Sequence, residues 1–181
     1  MKKLLFIAAL MMLGANAFAA GKDPAATEKV TVDVEVRAEI TDDTFTITDI
    51  DGAPLVLNFG KSAKIDYSKG KPWTAKVEYK IRATSAADTG IAKDTTFGVE
   101  LGAKDGKVAL KGLDVNGKPD GTIGKLEADV VLDEDTKVMA ANTTEVKGLI
   151  RGSIDDDLSN HQAVQYQGWT TLTATVNNVA Q

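Results

Sequence analysis

The chain of 181 residues has no cysteine, one histidine and four prolines. The missing cysteines exclude disulfides, thiol nucleophiles, zinc–thiolate centres and dithiol redox motifs together. The single imidazole, His161, excludes a metal centre built on paired histidines. It lies in the polar stretch Ser159-Asn160-His161-Gln162 and reads as a surface loop residue. No serine sits in a Gly-x-Ser-x-Gly elbow, and the glycine-rich stretch 112–124 lacks the Gly-Lys-Ser/Thr ending of a phosphate loop. Sustained helical periodicity is missing as well. The chain therefore reads as non-enzymatic, with no catalytic, cofactor-binding or metal-binding residue assigned.

The acidic residues are numerous but badly spaced for a cation. Asp133-Glu134-Asp135 and Asp155-Asp156-Asp157 lack the staggered oxygen ligands of a calcium loop and read as solvated turns. Asp49-Ile50-Asp51-Gly52 resembles such a loop's opening, but no bidentate Glu follows at the required distance, so a turn after a strand is expected. Asn142-Thr143-Thr144 matches a glycosylation acceptor, a motif frequent by chance.

What is present begins with an export signal. Lys2 and Lys3 precede the charge-free run Leu4 to Leu13, and Ala17-Phe18-Ala19 supplies small residues for a signal peptidase. The run is about ten residues, too short for a hydrocarbon core of roughly 30 Å. Residues 1–19 thus read as a cleavable secretory signal, and no cysteine follows that could carry a lipid. Cleavage after Ala19 leaves 162 of the 181 residues and takes the formal charge from −5 to −7. That length suits one domain. An acidic surface argues against binding nucleic acid or anionic lipid through bulk electrostatics.

Residues 20–27 are small and polar and read as a flexible leader. The clearest pattern follows: Val30, Val32, Val34, Val36, Ala38 and Ile40 alternate with Thr31, Asp33, Glu35, Arg37 and Glu39. A period of two puts the apolar residues on one side of an extended strand, and β-branched valines favour that state. Shorter strands are expected at 44–50, 55–59, 63–67, 73–83, 97–101, 126–132, 136–140, 146–150 and 165–176. Residues 68–72 read as a turn, 102–124 as a hairpin around Lys104-Asp105-Gly106-Lys107 plus a longer excursion, and 152–162 as room for a helical turn. Short strands about ten residues apart predict an all-β, immunoglobulin-like β-sandwich.

Four segments carry a resemblance. Thr27-Glu28-Lys29-Val30-Thr31-Val32, then Asp49-Ile50-Asp51-Gly52-Ala53-Pro54-Leu55, then Ile65-Asp66-Tyr67-Ser68 resemble, in order, the start of the colonisation-factor-type fimbrial major subunits of the alternate chaperone–usher pathway. Gln165-Tyr166-Gln167-Gly168 at the head of the closing strand is similar to the family's last strand. Arg37-Ala38 stands where the family commonly has Asp-Pro.

The resemblance implies an incomplete sandwich over 41–181 and a leader with a donor-strand extension over 20–40. A periplasmic chaperone would fill the groove first, and at an outer-membrane usher the extension of the next identical subunit would replace it. Val30, Val32, Val34 and Val36 would be the groove plugs, and Tyr166, Gly168, Leu172 and Val176 would line the C-terminal strand. Trp169, on the opposite face from these, is the candidate subunit contact along a fibre at the bacterial surface. In a lone chain, residues 20 to about 36 should either project or fold back into their own groove. The alternatives are a self-contained glycan-binding sandwich using Trp73 or the glycine-rich loops, and a periplasmic scaffold that never polymerises.

Overall fold

A computed structural model describes residues 29–40, 44–63, 72–84, 90–156, 161–162 and 164–177. The segments expected as an export signal and leader before Lys29, the turn expected at 68–72 up to residue 71, the end of the strand expected at 63–67, Asp157 and Leu158, and residues from 178 on lie outside the described residues. Among the described residues no helix is long and apolar enough to cross a membrane.

The fold is all-β, as its sequence pattern requires. Among the described residues ten strands follow in order: β1 (Lys29–Ile40), β2 (Phe45–Asp49), β3 (Leu55–Ala63), β4 (Trp73–Ala83), β5 (Thr95–Leu101), β6 (Lys107–Leu113), β7 (Pro119–Leu132), β8 (Thr136–Met139), β9 (Glu145–Ile154) and β10 (Gln165–Asn177). Alternation sets each strand's faces. In β4, Trp73, Tyr79, Ile81 and Ala83 are buried while Thr74, Lys76, Glu78 and Arg82 face out. In β10, Tyr166, Gly168, Thr170, Leu172 and Ala174 are buried.

Turn chemistry connects them. After β2, the Asp49 carboxylate accepts hydrogen bonds from the backbone N–H of Asp51 at 2.9 Å and of Ala53 at 2.6 Å. Gly52 there has φ +88°, a conformation costly for other residues. Between β6 and β7, Asp114 accepts in the same way from Asn116 and Lys118, each at 2.8 Å. These backbone donors hold its carboxyl below the usual range.

The strands form one mixed, nearly closed sheet in the order β2-β4-β9-β7-β6-β10-β1-β3, with β5 joining β10 to β8. Two strands change partner along their length. β10 pairs β6 at Tyr166 and Gln167, then β5 from Leu172 to Asn177. β7 pairs β6 and then, from Asp129 to Leu132, β9. The sheet therefore curls round a single core as a sandwich with barrel-like closure. Phe45 and Phe97 meet edge to face there with centroids 5.0 Å apart, and Phe59 and Trp73 do so at 5.9 Å.

Several local expectations are corrected. Lys104-Asp105-Gly106 is a single 3₁₀ turn carrying β5 into β6, and those two strands both pair with β10 rather than with each other. The hairpin in this region is β6–β7, whose strands include Gly112 and Gly124. β9 runs on to Ile154, so residues 152–154 are strand, and the helical turn expected around Leu158 lies outside the described residues. Trp73 is buried against Phe59 and offers no open ring for a sugar. Ala38 is exposed, because the β3 ladder against β1 ends at Val36 and only β10 flanks the chain beyond it.

Candidate functional site

β1 is an interior strand. On one side it runs antiparallel to β3, with Val36 opposite Leu55 and Val34 opposite Leu57. On the other it runs parallel to β10, with Val32, Val34 and Val36 opposite Tyr166, Gly168 and Thr170. This is the one parallel pairing among the described residues; every other ladder is antiparallel. β3 has no other ladder partner in the sheet order, so β1 is what hydrogen-bonds it to the rest.

The valine row fills the inner side of this slot. Val32 and Val34 are wholly buried and Val36 is 3 % exposed. Their burial contributes about 1.5–3 kcal/mol each as an upper estimate. Leu55, Leu57 and Phe59 from β3 are buried beside them. Gly168 has no side chain for a reason: a Cβ there would lie 2.6 Å from Leu110 Cδ2 and 2.7 Å from the Ala109 carbonyl oxygen. Across the slot, a methyl on Gly152 of β9 would collide with Leu57 and Phe59.

Of the residues singled out from the sequence, Val32, Val34, Val36, Tyr166, Gly168 and Leu172 come together in the core, and Val176 is partly buried at its edge. Val30 is in β1, paired with Ser62 of β3. Burial pushes the Tyr166 phenol up, and its hydroxyl donates to the Gln162 carbonyl at 3.1 Å. His161 stands edge-on to Tyr166 with ring centroids 6.4 Å apart.

On the outer side of the slot only Trp169 was singled out from the sequence; the polar residues around it were not. The Asp33 carboxyl is half-buried: Gln165 Nε2 donates to Oδ2 at 3.4 Å, and Oδ1 is buried without a partner. Burial pushes this carboxyl up, against the opposing effect of Gln165. Glu35 and Arg37 pair at 3.3 Å, and the Arg37 guanidinium stacks 4.6 Å from the centroid of Trp169. Trp169 is 59 % exposed. The shared odd-number parity of Glu35, Arg37 and Trp169 was available in the sequence, but the pairing of β1 with β10 was not.

The acidic run 133–135 is engaged by salt bridges. Asp133 pairs with Arg151 at 3.3 Å, and Glu134 with the buried Lys137 at 2.6 Å. Among the described residues no group of three or more His, Asp or Glu is gathered as for a metal.

No protein-family model matches this chain, and no curated protein matches it.

Proposed function

We propose that this chain is a structural subunit of a bacterial surface fibre, and that β1 is a strand passed between copies of it. On this reading the chain is exported by residues 1–19, held in the periplasm by a chaperone, and polymerised at an outer-membrane usher without cofactor or covalent chemistry. The observation that supports it most is the placement of β1. A strand near one end of the chain sits inside the sheet, carries a uniform valine row, and is the link that holds β3.

A strand so placed fills a slot whose walls all belong to other segments. Any extended segment with the same alternation satisfies those walls, including β1 of a second copy. In the lone chain the slot is closed by its own strand. Release then requires opening both ladders, so exchange is controlled by a rate and assembled fibres are kinetically durable. That durability also substitutes for the absent disulfides.

Co-production with a periplasmic chaperone and an outer-membrane usher tests the reading. Electron microscopy should show fibres from the native chain and none from Val34→Asp. Monomer alone, with β1 amides that exchange only on global unfolding, would overturn it.

A further inference from the structure

We infer that Arg37 and Trp169 set the register of β1 against β10, which the valine row leaves degenerate at its three buried sites for a slip in one direction. The row repeats every two residues. If β1 slipped so that each residue took the place of the one two positions on, Val30, Val32 and Val34 would occupy the sites of Val32, Val34 and Val36. These three buried sites would be filled by the same side chains, the change falling at the strand's end, where Ala38 would take the place of the partly buried Ile40. A slip of two also keeps every side chain on its own face and restores the ladders.

The irregularity on the β3 side does not resolve this degeneracy. The register shifts between Val32 and Asp33, where Gly60 of β3 has φ +80°. That bulge shapes β3, where the Asn58 side-chain oxygen accepts from the Gly60 N–H at 2.6 Å, but it uses no side chain of β1 and accepts any residue of β1 opposite it. The contact of Gln165 with Asp33 discriminates weakly, because a slip brings Thr31 or Glu35 to the same place, each with an oxygen to accept.

Arg37 is different because of its neighbours on the same face. Glu35 and Glu39 stand two residues to either side. In the observed register the guanidinium lies over the Trp169 ring. A slip of two in either direction replaces it with a carboxylate, which the negative face of an indole repels. The alternation Glu-x-Arg-x-Glu on β1 therefore reads a single tryptophan on β10, and only one of the three registers puts a cation there. This holds for β1 folded back in its own chain and does not depend on the strand being donated.

The absence of native cysteine gives a clean readout. Residue 39 lies opposite Thr173 in the observed register and would lie opposite Thr175 after the slip that carries residue 35 to the place of residue 37. Chains carrying Glu39→Cys with Thr173→Cys, or Glu39→Cys with Thr175→Cys, report the two registers by disulfide yield. The 39–173 bond should dominate in the otherwise native chain and in Arg37→Lys. The double variant Glu35→Arg/Arg37→Glu keeps the pair of charges but moves the cation by two, and should raise the 39–175 yield about threefold or more at the expense of 39–173. Trp169→Ala should raise it about twofold. Unchanged yields in both variants overturn the inference, and so does loss of both cross-links, since these exposed residues would then govern whether the strand is held rather than where.

Discussion

Val34 of β1 and Gly168 of β10 are opposite one another in the parallel ladder, and the glycine is what admits Leu110 of β6 to the space beside the valine. A single methyl at 168 meets both Leu110 and the Ala109 carbonyl oxygen. Gly168→Ala should therefore destabilise the chain by about 1–3 kcal/mol through overpacking, measured as a lower urea midpoint at unchanged slope. A variant as stable as the native chain would show that β6 can yield there.

Val34→Asp puts a carboxylate where exposure is zero. The lone chain should lose roughly 4 kcal/mol or more, while Glu35→Gln on the outer face of the same strand should stay within about 0.5 kcal/mol. Chemical unfolding of the two variants side by side checks this. Equal effects would mean that the two faces of β1 are not sealed differently.

Asp33 is a group whose folded-state carboxyl is raised by burial above 3.8. Its neutral form is therefore the one the fold prefers. The stability this contributes is complete below pH 3.8 and is lost as pH rises through the raised folded value. At neutral pH the ionised Asp33, with Oδ1 unpartnered, works against the docking of β1. Asp33→Asn should raise the neutral-pH melting temperature and flatten its acid dependence relative to the native chain. A lower melting temperature at neutral pH would refute the assignment.

Tyr79 is wholly buried, its hydroxyl has no hydrogen-bond partner, and its ring packs over Gly148. Tyr79→Phe removes an unpaired polar atom and should stabilise the fold by about 1 kcal/mol in urea melts. Burial, then the carboxylates of Glu134 and Asp133, push the phenol up to about 12. The neutral phenol's contribution is complete below pH 10 and disappears as pH rises through about 12. Ultraviolet titration should show Tyr79 ionising together with alkaline unfolding, and Tyr79→Phe should move that unfolding to higher pH.

Strands with bulky alternating residues were legible in the sequence. β1, β4 and β10 stand where Val32 to Val36, Val77 to Ile81 and Tyr166 to Val176 placed them, and the exposure of Trp169 followed from its parity against Tyr166 and Leu172. The same parity in β4, where Trp73 shares a face with Tyr79 and Ile81, contained the signal that Trp73 is core. β6, the first half of β7 and the full length of β9 were hidden by glycine. Glycine usually punctuates turns, but Gly112, Gly124, Gly148 and Gly152 are strand positions where a neighbouring side chain occupies the space of the missing Cβ. Nothing local encodes which strand β1 joins, because pairing across the whole chain is decided by collective packing.

Asp33 and Gln165, which touch across the β1–β10 ladder, are 132 residues apart in sequence. A ribosome thus makes the valine row long before its partner, and the row spends most of the chain's synthesis without a seat. Contacts of such separation close slowly, and an open edge is hazardous while it waits. The delay is a fixed consequence of where the two strands lie along the polypeptide, and it leaves β1 without its parallel partner until β10 has been made.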